Sequence, residues 1–182
     1  MIGDAPTATN STLPDAAGGP EQVPDGQQRI VVGLDSSAAA QRALLFAAGE
    51  ARLRGAVLHV VAAHDLGAAA YGYAGGFGMG MGLGPLQEGL QRAAEDLVKA
   101  AGDTVATLDL GTQVHLRTTV AQGRPSQVLL DAANGATLLV VGARGASALT
   151  RLMMGSTSTE VVHHARLPVT VVPADEDGSD PS

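Results

Sequence analysis

Gly142, Ala143, Arg144 and Gly145, followed nine residues later by Gly155, Ser156 and Thr157, have the residue types and spacing to hold an anion. The first group follows an apolar run, Thr137 to Val141, that reads as a buried strand. The second opens a helical pattern ending near His164. Glycines at a strand end let backbone approach a ligand closely, and a helix amino terminus offers unpaired N–H groups at the positive end of its dipole. This is phosphate chemistry done with backbone and hydroxyl donors, which suits a chain whose only lysine is Lys99. Arg144 is the fixed cation inside the cradle; pairing with a phosphate competes there with a solvated loop position.

Each of these residues also has a purely structural reading. Asp35, placed before a helical stretch, has the commonest place of a helix cap. Thr157 with Glu160 fits a capping box, which would occupy the hydroxyl a phosphate needs. Gly155 on its own would only ease a turn. Binding is favoured by the whole group in its strand–loop–helix setting. Two other phosphate motifs are absent: no Gly-Lys pair occurs, and the glycines of 75–84 do not follow G-x-G-x-x-G. His163, His164 and Arg166, with Glu160 one turn back, sit where a helix dipole favours positive charge and read as structural. His59 and His115 alternate with apolar residues and read as packed or edge histidines, while the role of His64 stays open.

The elements that must position these groups alternate along residues 29–173. Arg29 to Leu34 is a short buried strand. Asp35, Ser36 and Ser37 cap a helix with Leu44, Ala47, Ala48 and Ala51 on one face, and Gly55 ends it. Residues 56–62 form a second strand, and Leu86 to about Leu108 a helix with Leu90, Ala93, Ala94 and Leu97 on one face. Residues 113–120 read as a partly exposed third strand. Pro125 starts a helix that stops at Asn134-Gly135. Strands at 137–141 and 167–172 flank the helix from Ser156 to His164.

Short apolar strands alternating with amphipathic helices imply an α/β fold: a doubly wound five-stranded parallel sheet with helices on both faces. The Rossmann-like order 3-2-1-4-5 makes strands one and four neighbours. It brings the loop after Gly33-Leu34-Asp35 beside the loop after Gly142, at the carboxyl ends where such sheets bind ligands. That convergence turns a phosphate site into a nucleotide site.

Composition narrows the alternatives. The chain has 182 residues, 45% of them hydrophobic but only 2% aromatic, so Ala, Val and Leu must build the core. It contains no cysteine, which excludes disulfides, thiol chemistry and the usual structural zinc sites. Of the net charge of −7, the acidic excess lies in the 1–28 and 174–182 tails, both of disordered composition. Eleven basic residues face ten acids in between, with no basic stripe for nucleic acid. No run is long and apolar enough for a membrane span, and the start lacks a signal-peptide pattern, so a cytoplasmic location is expected.

Ile30 to Leu34 with Asp35-Ser36-Ser37, the His59-Val60 pair, the glycine-spaced motif and Leu167 to Pro173 together resemble the universal stress protein family, more narrowly its ATP-binding branch. The resemblance covers about residues 29–173. It implies that Asp35 contacts the nucleoside, that Gly33 lets it approach, and that backbone around Val60 recognises the adenine edge. Gly142, Ala143, Arg144 and Gly145 would wrap the phosphates, with Gly155, Ser156 and Thr157 completing the cradle. The family usually has Asp-Gly-Ser where this chain has Asp35-Ser36-Ser37, a change expected to alter affinity more than site identity.

The function expected is a nucleotide-responsive switch or stress-response regulator that binds ATP with Mg2+ or Mn2+ on the phosphates. A homodimer through the apolar fifth strand, 167–173, is expected both from its bare edge and from the resemblance. Beyond Asp35 and Arg144 no catalytic constellation stands out, so hydrolysis is expected to be weak at most. A slow ATPase or phosphoryl-transfer enzyme, and a nucleotide-independent dimeric adaptor, stand as alternatives. Residues 67–84 hold eight glycines together with Tyr71, Tyr73, Phe77, Met79 and Met81, and are expected to form a mobile lid.

Overall fold

The structure, a computed structural model, describes residues 27–66, 84–108, 114–143 and 154–173. The two tails and most of the 67–84 segment lie outside the described residues, so the tail and lid expectations do too. Gly84 itself is helical.

Among the described residues five strands, β1 (Arg29–Leu34), β2 (Val57–His64), β3 (Leu116–Gln122), β4 (Leu138–Gly142) and β5 (Val169–Val172), alternate with four helices. The helices are α1 (Ala38–Arg54), α2 (Gly84–Thr107), α3 (Pro125–Ala132) and α4 (Ser156–His164). All strand pairs are parallel and the sheet order is β3-β2-β1-β4-β5, the order expected from the alternation.

Strand residues alternate between two cores because successive side chains leave a strand on opposite sides. Ile30, Val32 and Leu34 join Leu58, Val60 and Ala62 under α1 and α2, whereas Val31, Val61, Leu139 and Val141 pack with Leu129 and Val161 of α3 and α4. Aromatic side chains are replaced by tight backbone approach. Helix α1 buries Ala39, Ala40, Ala43, Ala47, Ala48 and Ala51 around Leu44, and an alanine face lets a helix axis sit close to the sheet. Its carboxyl end stops at Gly55, whose left-handed conformation (φ 59°) returns an N–H to the last carbonyls.

Two expectations need correction. Helix α2 buries Ala94, Val98, Ala101 and Val105, with Leu97 packed alongside, while Ala93 is exposed. A stripe spaced by four, three and four follows the helical period further than the short window around Ala93 reveals. Strand β2 runs on to His64, two residues beyond the expected end.

Candidate functional site

The crevice at the carboxyl ends of β1 and β4 is built around Gly142. A Cβ on Gly142 would lie 2.9 Å from both Ala39 C and Ala40 N, so the end of β4 rests directly on the first turn of α1. The next residue turns the chain toward α4. Ala143 donates its N–H to Val172 O (2.7 Å), while its carbonyl accepts from Gly155 N (2.7 Å) and Ser158 Oγ (2.9 Å). Two helix amino termini are thereby fastened to the same strand end by consecutive residues.

Asp35 follows β1 directly. Its Oδ1 accepts the Ser37 N–H at 2.9 Å and also the Ser37 hydroxyl. Ser37 Oγ in turn accepts from Ala40 N at 3.1 Å as the N-cap of α1. The helix-cap role therefore falls to Ser37, with Asp35 orienting it. Both of these bonds reach Oδ1, and Asp35 is half-exposed at the crevice.

At α4 the N-cap is Gly155, with no side-chain cap. Thr157 lies inside the helix, so the capping box with Glu160 does not form. Glu160 turns instead to α3, where Oε1 takes Arg124 Nη2 (2.6 Å) and Oε2 takes the Ser126 hydroxyl. No hydrogen bond from a described residue occupies the Ser156 or Thr157 hydroxyl; Ser156 is exposed and Thr157 half-buried. The first turn of α4 thus keeps N–H groups and two hydroxyls for a ligand. These fit phosphate oxygens. Among the described residues no cluster of three His, Asp or Glu fits a metal, so a divalent cation there would depend on the phosphates for most of its ligands.

The remaining expected site residues divide. Gly33 faces the core, where a Cβ would meet the Leu129 methyls at 2.8 and 3.0 Å, so its small size serves packing under α3. The Ala143 N–H and the Gly155 N–H are both spent within the fold. Val60 stands inside the ladder, opposite Val32 on one side and Thr118 on the other. The last β1 partner is Leu34, opposite Ala62, so β2 outruns β1 at Ala63 and His64. Backbone level with Asp35 is therefore found at Ala63 and His64, three and four residues beyond Val60. Arg144 and Gly145 lie outside the described residues.

Sequence reasoning missed Ser158, which is 2% exposed and bridges Ala143 O and Gly155 O (3.0 Å). The run of alternating Ser and Thr hid it, since only the inward position of the helix closes the loop. Of the histidines, His59 is buried and its Nε2 meets Thr119 Oγ1 at 2.8 Å, whereas His115 is exposed just before β3. His164 Nδ1 meets Glu160 O at 2.8 Å, within its own helix.

An open parallel sheet of order β3-β2-β1-β4-β5 with helices on both faces defines an α/β protein of the doubly wound class. A model of the universal stress protein family matches residues 27–173, and this chain belongs to that family. It is 34% identical over 145 residues to a universal stress protein of Thermus aquaticus, covering 79% of this chain and 96% of that one. A universal stress protein of Mycolicibacterium smegmatis is also 34% identical over 148 residues, or 81% of this chain, which spans only about half (48%) of that longer relative. Among solved structures, universal stress protein UspA from Lactobacillus plantarum is 28% identical with a TM-score of 0.64, covering 80% of this chain and 97% of its own. The universal stress protein of Archaeoglobus fulgidus in complex with dAMP is 26% identical, with a TM-score of 0.53 over 80% of this chain and 97% of that one. Another universal stress protein, in complex with cAMP, is 26% identical with a TM-score of 0.51, covering 82% of this chain and 98% of that one.

Proposed function

We propose that this chain binds an adenine nucleotide, ATP by preference, at the carboxyl ends of β1 and β4, and acts as a cytoplasmic nucleotide-responsive switch or stress-response regulator. The observation that carries the reading is the open first turn of α4. Its N-cap brings no side chain, and the Ser156 and Thr157 hydroxyls take no bond from the described residues. Phosphates would lie against that turn, the ribose toward Asp35, and the base toward the end of β2 near Ala63. Mg2+ or Mn2+ would neutralise phosphate charge. The dAMP and cAMP complexes of related proteins support a nucleotide in this fold.

Holding, rather than consuming, is favoured because the described donors at the first turn of α4 are backbone and hydroxyl groups. A response to nucleotide would pass through the Ala143 junction, which ties α4 to β5. Strand β5 is an outer strand with Val169, Thr170 and Val171 half-buried, and we assign it the homodimer contact, 167–173.

The test is nucleotide released from the purified, denatured protein and identified by chromatography and mass. It is paired with titrations of ATP, ADP, AMP and cAMP. Retained or micromolar-binding ATP supports the reading. Absence of any nucleotide binding would leave the adaptor alternative, and multiple turnover abolished by Asp35→Ala would favour the enzyme.

A further inference from the structure

A second group of donors lies at the other end of the sheet. Arg29 is the first residue of β1, His59 the third of β2 and Arg117 the second of β3. Val31 stands opposite His59, and His59 opposite Arg117. Arg29 precedes Val31 by two residues and so shares its side of the strand, diagonal to His59. All three side chains therefore leave the sheet on the α3 side.

Two buried nitrogens in this group have no hydrogen-bond partner among the described residues: Arg29 Nε and His59 Nδ1. Arginine Nε only donates. Burial, then the charges of Arg117 and Arg29, lower the His59 pKa to about 4, so the ring is neutral near pH 7. If the Thr119 hydroxyl donates to Nε2, then Nδ1 carries the proton and is a donor too. Both orphans then lack the same thing, an acceptor. Leaving a buried donor unpaired is costly, and two such neighbours beside two guanidiniums are most simply satisfied by one negatively charged, multi-oxygen group. Arg29 also donates from Nη2 to the Asn134 carbonyl just beyond α3, which fixes its guanidinium over this corner. Arg29 and Arg117 are each half-exposed, so the corner is reached from solvent between them.

We propose that Arg29, His59 and Arg117 form a binding site for a small oxyanion of the phosphate class, at the amino ends of β1, β2 and β3. The site is separate from the nucleotide crevice and does not rest on that reading. Bound between the guanidiniums, the anion accepts from Arg29 Nε and His59 Nδ1 and offsets their mutual repulsion. Occupancy would fasten β1, β2 and β3 together at their amino ends.

The test follows the imidazole of His59 in the full chain by long-range proton–nitrogen correlation spectra, the signal being identified by its loss in His59→Gln. Inorganic phosphate is titrated against potassium chloride and potassium acetate at matched ionic strength. The expected result is a saturable His59 shift with phosphate and a rise of its pKa by about one unit or more. Both effects should disappear in Arg29→Met. No saturable shift in the unmutated chain overturns the proposal, as it would if water alone served the orphans. An equal response to chloride means an adventitious ion only, and an equal response to acetate overturns the phosphate class. A shift surviving in folded Arg29→Met also overturns it; should that variant not fold, the wild-type titration decides alone.

Discussion

Gly142 and Ala39 stand in direct backbone contact: a Cβ on Gly142 would lie 2.9 Å from Ala39 C and 3.0 Å from Ala39 Cβ. Residues on either side of this point lead to opposite halves of the crevice. Ala39 is two residues past Ser37, which Asp35 orients, and Gly142 is one residue before Ala143, which holds Gly155. A glycine read from sequence as a phosphate contact is thus the spacer that sets the distance between the two helix amino termini.

Gly142→Ala is therefore expected to destabilise the protein by about 1–3 kcal/mol, because the clash is with backbone that cannot rotate away. Urea unfolding measures it. Gly33→Ala should cost less, since its new methyl meets only the movable tips of Leu129. Nucleotide affinity should fall with Gly142→Ala and stay within a few-fold for Gly33→Ala. Equal stability losses would show that the α1 contact is not rigid.

Asp35 and Ser37 share one hydrogen-bonded turn but are expected to fail differently. Ser37→Ala removes the α1 cap and should cost about 1 kcal/mol of stability. Asp35→Asn keeps an acceptor for Ser37, so stability should change by less than about 0.5 kcal/mol. Loss of a charged acceptor for the ribose should nonetheless weaken nucleotide binding by roughly ten- to a hundred-fold. Calorimetric titration of both variants separates cap from ligand contact.

Ser156 and Ser158 offer the same contrast two residues apart. Ser156 is exposed with its hydroxyl unused by the described residues, and Ser158 is buried with two acceptors. Ser156→Ala should weaken nucleotide binding by about five-fold while leaving the unfolding midpoint in place. Ser158→Ala should lower stability by about 1 kcal/mol. The reverse pattern would mean that phosphates do not lie on the first turn of α4.

These contrasts mark what a sequence makes legible. The strand order and the two cores follow from apolar runs, alternation and crossover handedness, and the Gly55 stop stands where expected, whereas the Pro125 helix ends at Ala132, two residues short of Asn134-Gly135. Level along the sheet was not legible. Val60 lies inside the expected strand, and the pairing of Leu34 with Ala62 puts the level of Asp35 beyond it, at Ala63 and His64. Register depends on where the neighbouring strand begins, which no local pattern states. Backbone commitments are hidden too. Ala143 and Gly155 sit where donors are wanted, yet the Ala143 N–H is given to Val172 of β5 and the Gly155 N–H to the Ala143 carbonyl. Side-chain hydroxyl spacing likewise suggested a Thr157–Glu160 box, whereas Glu160 finds a better partner in the Arg124 guanidinium of a distant segment.

His59 supplies a pH signature of the fold itself. Its ring is 4% exposed, and desolvation, reinforced by Arg117 and Arg29, lowers its pKa from 6.5 to about 4. The unfolded chain therefore takes up this proton first as pH falls. Stability from this residue is complete above about pH 6.5 and is lost between there and about pH 4. The loss approaches about 3 kcal/mol over that interval, an upper limit since side-chain movement can ease the cost of protonating the ring in the folded chain. Carboxylates titrate toward the same end of the scale, so the wild-type curve alone does not isolate the effect. The difference between wild type and His59→Gln does: in phosphate-free buffer, urea unfolding free energies should converge as pH drops from 7 to 4, with the variant showing the flatter profile. Parallel profiles would mean that His59 takes up its proton at the same pH in the folded and the unfolded chain, so that burial and the two arginines do not depress its pKa.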